Sequence, residues 1–144
     1  MKKKRESTLD YFKRRKKANA TGKRFELKVR NNLEKEGWIV DKWSNNVNLK
    51  EEKLIKVKNL FLGPGKPLML GAGFPDFIAF RIKRKSYEII GVEARTIGRL
   101  SEEERGKCRF LLKKRIFSKI LIAKKGKKRG EIEYMDFKKK YNNL

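Results

Sequence analysis

Glu93 and Arg95 stand two residues apart at the end of "YEIIGVEART", residues 87–96, a run that otherwise reads as a buried strand. Alternation sends residues two apart to the same face of a strand, so an acid and a base share a face where the pattern predicts another aliphatic. Upstream, "FPDFIAFRI" places Asp76 at the head of a second apolar strand, joined to the first through the polar turn "KRKS". A turn centred between Arg84 and Lys85 sets Asp76 directly opposite Glu93, with Cβ atoms about 5 Å apart. A slip of one residue would send the two to opposite faces, so the register carries this expectation. Two facing carboxylates are costly unless something positive lies between them. A hard divalent cation such as Mg²⁺ or Mn²⁺ suits oxygen ligands and keeps water for chemistry.

Glu26 supplies a third acid. It lies three residues before Val29 and seven before Leu33, on the border of an apolar helical stripe that would pack on the strands. Taken singly, each acid has an ordinary reading. Glu26 reads as an exposed helix acid, Glu93 as a strand-end partner of Arg95, and Asp76 after Pro75 as a turn residue. Together, in a basic chain, they point to a metal site.

The elements needed to hold these residues can be read in order. In "TGKRFELKVRNNLEKEGW", Thr21 is the expected N-cap, Phe25, Val29 and Leu33 the apolar stripe, and Gly37 the C-cap signal. "WIVDKW" reads as a strand, "KLIKVK" as a short one, and "LGPGKPLMLGAG" as loop-rich. After the two central strands, "LSEEERGKCRFLLKKR" reads as a helix with Ser101 at its N-cap and Glu104 at N3, a capping box. Cys108, Leu111 and Leu112 are its expected buried face. "FSKILIAKK" and "GEIEYMDF" then read as strands separated by "GKKR". The order predicts an α/β fold, a mixed central β-sheet flanked by helices.

Composition narrows the partner. The 144 residues suit one domain, with residues 1–20 as a basic arm and 21–144 as the folded unit. No apolar run nears the roughly 20 residues that span a bilayer, so no membrane partner is expected. Histidine is absent, which excludes His-based catalysis and His-ligated zinc. Cys108 is the one cysteine, so an internal disulfide is excluded and an intracellular, cytoplasmic setting fits. The net charge is +24. Residues 1–24 hold 11 Lys/Arg against 2 acids, which leaves 30 basic and 15 acidic residues for the rest, or +15. The folded body is therefore basic as well as its arm. Dense, fixed phosphates are the natural partner of such a surface, and DNA the expected one, with a nucleoid-associated location. A charged fraction of 40% with no glutamine also hints at a thermophilic source.

In the order "GKRFELKVRNNLEKEGW", "PD", "GVEAR", the chain resembles the PD-(D/E)XK nuclease superfamily, and within it the archaeal Holliday-junction resolvases and their virus- or plasmid-borne relatives. The similarity spans about residues 22–137. It implies a restriction-endonuclease-like core of α-β-β-β-α-β order, with Asp76, Glu93 and the carbonyl of Ala94 binding metal and Glu26 completing the site. It also implies hydrolysis of a DNA phosphodiester by metal-activated water. The chain departs from the pattern at Arg95, where lysine is expected. Arginine keeps the charge and grips phosphate, but it does not deprotonate. Lys107, about one and a half turns after the helix cap, is the candidate replacement on a neighbouring helix; a solvated lysine is the plain alternative.

Other candidates complete the reading. Asn45 and Asn46 stand where relatives carry polar residues near the scissile phosphate. Lys23 and Arg24, and Lys83, Arg84 and Lys85 of the turn, are candidate phosphate contacts. In "ESTLDYFKR", Glu6, Leu9, Tyr11 and Phe12 resemble the peptide by which replication and repair proteins bind a sliding clamp, with Glu in place of the usual Gln and Lys13 in place of a second aromatic. The alternative is an arm that packs on its own domain or grips DNA. Trp38 and Trp43 read as core, and Cys108 as a small buried hydrophobe. The expected activity is metal-dependent cleavage of branched or structured DNA, with a homodimer suited to cutting two opposed strands. The rivals are a DNA-binding module that lost catalysis through Arg95, and an RNA-directed nuclease.

Overall fold

The computed structural model describes residues 7–56, 58–61, 67–70 and 73–141. The chain opens with one continuous helix, α1 (Thr8–Lys35), capped by Ser7, whose Oγ accepts from the Asp10 N–H at 3.1 Å. The N-cap expected at Thr21 is not there. Its hydroxyl instead donates back to the Lys17 carbonyl at 3.0 Å, inside the helix, and the boundary drawn at residues 20/21 falls within α1. No proline interrupts residues 8–35, and Gly22 alone costs a helix only about 1 kcal/mol. The helix ends where expected: Gly37 takes a left-handed φ of 90°, and the Trp38 N–H returns to the Leu33 carbonyl.

Five strands form one mixed sheet in the order β1-β6-β7-β8-β9. These are β1 (Ile39–Lys42), β6 (Phe77–Lys83), β7 (Ser86–Ala94), β8 (Lys119–Lys125) and β9 (Ile132–Asp136). The pairings β1·β6, β6·β7 and β8·β9 are antiparallel and β7·β8 is parallel. A parallel pair needs a crossover, which α2 (Glu102–Lys113) supplies. The capping box that starts α2 has both of its bonds, Glu104 N–H to Ser101 Oγ at 3.2 Å and Ser101 N–H to Glu104 Oε1 at 3.0 Å. The protein is thus α/β, closed by the one-turn helix α3 (Phe137–Lys140).

Two hairpins lie between β1 and β6: β2 (Asn45–Asn48) with β3 (Lys53–Lys56), and β4 (Lys58–Phe61) with β5 (Pro67–Leu70). Strand β5 falls within the stretch 62–73 read as loop-rich; residues 62–66 and 71–72 of that stretch lie outside the described residues. Asn45 and Asn46 likewise begin a strand.

Each face of the sheet has its own core. Phe25, Val29 and Leu33 of α1 pack with Trp38, Val40, Ala79, Ile90 and Val92 on one side. Cys108 and Leu111 of α2 pack with Phe74, Phe117, Ile120 and Ile122 on the other. Leu112 is partly buried beside them, and Trp43 meets Phe117 edge to face at 5.1 Å. No helix among the described residues is long and apolar enough to cross a membrane.

Gly91 of β7 lies against Pro75 in the turn before β6. A Cβ there would lie 2.8 Å from Pro75 Cγ and 3.1 Å from the Phe117 ring. Gly22 has nothing within 4 Å of its Cβ position. The two glycines therefore respond oppositely to a methyl group. Gly91→Ala is expected to lower unfolding free energy in urea by about 1 to 3 kcal/mol through overpacking, and Gly22→Ala to raise it by about 0.5 to 1 kcal/mol through helix propensity.

Candidate functional site

The β6·β7 ladder runs from Lys83↔Ser86 at the turn to Phe77↔Val92 at the far end. This is the expected register, so the next step beyond Phe77 and Val92 brings Asp76 opposite Glu93. The pair is locked by two reciprocal backbone bonds. The Asp76 N–H donates to Glu93 Oε2 at 3.0 Å, and the Ala94 N–H donates to Asp76 Oδ2 at 2.8 Å. The peptide before Asp76, Phe74–Pro75, is cis.

Glu93 is the buried charged residue among those described, at 3% exposure. Its second oxygen, Oε1, lies 3.1 Å from Arg95 Nε. The Arg95 guanidinium then reaches on to Glu104, donating through an Nη to Oε2. Glu104 therefore serves two groups at once: Oε1 caps its own helix at Ser101 and Oε2 holds the arginine. Its role was hidden in the sequence because the capping box already accounted for a glutamate at that position. Lys107, one turn after Glu103 and 3.6 Å from its Oε1, has only 14% of its side chain exposed. Its ammonium sits 5.7 Å from the centre of the Phe74 ring.

These side chains line one cleft of about 370 Å³. It brings together Glu26, Asn46, Asp76, Glu93, Ala94, Arg95 and Lys107, with Glu104 added. Other sequence candidates lie elsewhere. Asn45 is not among the lining residues, and its carbonyl accepts from the Phe74 N–H at 2.9 Å. Lys83, Arg84 and Lys85 are exposed at the opposite end of the β6·β7 hairpin, about seven residues or 23 Å along the strand from Asp76. Lys23 and Arg24 are exposed on α1, within one turn of Glu26. Leu9 and Phe12 are each 63% exposed and Tyr11 39%, while Glu6 lies outside the described residues.

The electrostatics of the cleft resist two bare carboxylates. Asp76 is pushed up to about 6, chiefly by burial and then by the charge of Glu26, against the Ala94 N–H and Arg95, which pull it down. Glu93 is raised well above the usual carboxylate range by burial and by Asp76, and Arg95 offsets only part of this. The pair thus favours a shared proton or a cation over two unscreened charges. The Cys108 thiol is pushed far up by burial, which removes it as a nucleophile at neutral pH.

An acid whose folded pKa is raised destabilises the fold as pH climbs from its unfolded to its folded value. For Asp76 that window runs from 3.8 to about 6, and Glu93 acts in the same direction. With chelator present, unfolding free energy is expected to fall by about 2 kcal/mol between pH 4 and pH 7 from Asp76 alone. Asp76→Asn keeps an acceptor for the Ala94 N–H and removes the charge. Its melting temperature should exceed that of the parent at pH 7.5 and lose the advantage at pH 4, by calorimetry in EDTA.

No family model, no curated protein and no solved structure matches this chain.

Proposed function

We propose that this chain is a divalent-metal-dependent DNA endonuclease with a restriction-endonuclease-like core, acting on branched or structured DNA. The observation that carries the reading is the carboxylate pair Asp76–Glu93, locked across two strands and sharing one cleft with Glu26, Arg95 and Lys107. With the two hairpins β2–β3 and β4–β5 set aside as insertions after β1, the order α1, β1, β6, β7, α2, β8 is compatible with the α-β-β-β-α-β order that the PD-(D/E)XK resemblance implies. The basic body, with its +24 charge, suits a nucleic-acid substrate.

The donor set fits a hard cation. Asp76 and Glu93 both resist ionising alone, and Mg²⁺ or Mn²⁺ beside them would relieve that cost. Among the described residues no group of three or more acids, cysteines or histidines closes around a point. Asp76, Glu93 and the Ala94 carbonyl, with Glu26 in the same cleft, would be the residues that hold such a cation. Bound there, it would supply Lewis-acid activation of water and of the phosphodiester.

The chain's own bases divide the remaining work. Arg95 pairs with Glu93 and Glu104 and cannot take up a proton. Lys107 is largely buried at the cleft and is the one group there with lysine chemistry. It takes the part that the superfamily pattern gives to the lysine two residues after Glu93. A homodimer would present two such clefts to opposed strands, and the exposed Leu9, Tyr11 and Phe12 leave the clamp-binding reading open to a deletion of residues 1–13.

One observation favours a second reading, a DNA-binding module of the same fold that cuts poorly: the Arg95 guanidinium is already held by two carboxylates. The test is incubation with labelled four-way junction, linear duplex and single strand, in Mg²⁺, in Mn²⁺ and in EDTA. The endonuclease reading expects metal-dependent cleavage, reduced at least about 100-fold by Asp76→Ala or Glu93→Ala and comparably by Lys107→Ala. Tight binding without cleavage in any metal, with activity gained in Arg95→Lys, would establish the second reading instead. Unchanged cleavage by Lys107→Ala removes lysine's role from that residue.

A further inference from the structure

Helix α1 packs on the sheet only through its C-terminal half. Residues 7–19 are all exposed, and the first buried side chain is Phe25. From Lys13 to Glu26 the axis advances about 20 Å at 1.5 Å per residue. This outer half contains the unbroken run Lys13, Arg14, Arg15, Lys16, Lys17, and the sequence holds no acid between Tyr11 and Phe25. Like charges three and four apart oppose helix formation, and a segment of this length gains little stability without packing. Its favourable partner is an external polyanion rather than the chain's own core.

The sides of this helix are not equivalent. At about 100° per residue, Arg15, Lys16 and Lys23 lie within about 80° of Glu26, whereas Lys13, Lys17 and Lys28 lie about 140° to 180° away. Glu26 reaches the candidate cleft. The same side, followed outward, is an open face that presents Lys23, Asn19, Lys16, Arg15, Phe12 and Tyr11. Arg15 is steadied there by donating to the Tyr11 hydroxyl at 3.0 Å, with its guanidinium 5.7 Å from that ring.

We infer that this side of α1 is a track for the phosphodiester backbone of DNA leaving the cleft, with Arg15, Lys16 and Lys23 as its phosphate contacts. The inference rests on the DNA-directed reading above and deepens it by fixing where the flanking DNA runs. From Arg15 to Glu26 the axis advances about 16 Å, so at 3.4 Å per step a duplex lying along α1 would span about five steps beyond the cleft. A protein partner such as a sliding clamp is the competing occupant of the same side.

The test compares two triple variants of the full chain, R15Q/K16Q/K23Q and K13Q/K17Q/K28Q, each removing three charges from α1. Circular dichroism checks that both remain folded. Binding to labelled duplex and to labelled single strand is followed by fluorescence anisotropy in EDTA across 50–300 mM NaCl. The track predicts that the first variant weakens binding about 10-fold or more at 150 mM NaCl and lowers the salt slope by about 2 to 3, at about 0.9 per phosphate contact. The second should weaken binding less than about 3-fold, the residue of long-range attraction alone. The strand type showing the selective loss identifies the DNA that occupies the track. Equal losses in the two variants would reduce α1 to diffuse charge and overturn the inference. No loss in either would overturn it too, and would leave this side to a protein partner. A selective loss in a protein that cleaves no DNA with any metal would keep the track and sink the nuclease reading.

Discussion

The molecule depends on one constraint: two carboxylates held against each other at the buried end of a strand pair. Asp76 and Glu93 each accept a backbone N–H from the other's strand, so neither can turn away without stranding a donor. Burial, together with the charge of Glu26 on Asp76 and of Asp76 on Glu93, then makes their charged forms costly. Much of the surrounding architecture bears on that cost. Gly91 lets the turn carrying Pro75 and Asp76 lie flat on β7. The capping box fixes the start of α2, and through Glu104 it fixes the arginine that partly neutralises Glu93. The crossover that makes β7 and β8 parallel brings Lys107 to the same cleft.

The register of the central hairpin was legible because a two-residue turn leaves few choices, and one face of each strand must be apolar. Helix α2 was legible for a similar reason, since Ser101 and Glu104 satisfy each other at fixed spacing. The start of α1 was not. Thr21 and Gly22 resemble a helix boundary locally, and the run Lys13–Lys17 gives no apolar period to follow. Only Ser7 accepting from Asp10 marks the true start. The phosphate-contact assignment of the turn lysines rested on charge alone, and charge carries no direction. The structure puts Lys83, Arg84 and Lys85 at the turn end of the hairpin, away from the cleft. Glu104 was obscured because a single glutamate met two demands, of which local sequence displays one.

The charge of the cleft runs against the charge of the chain, and this inversion shapes any chemistry done there. The lining carries four carboxylates, from Glu26, Asp76, Glu93 and Glu104, against two cations, Arg95 and Lys107. Fully ionised, that is −2 inside a protein of +24. The basic exterior draws phosphate inward, while the bare cleft repels it over the last few ångströms. Protonation of the carboxylate pair would remove the repulsion and also remove the donors. One divalent cation balances the same excess without protons, so the end of the path no longer repels a phosphate. In the proposed reading the metal is therefore required for close approach of the phosphodiester as well as for hydrolysis. Arg95 does not take its place, because the guanidinium is already engaged by Glu93 and Glu104 and offsets the burial of Asp76 only in part.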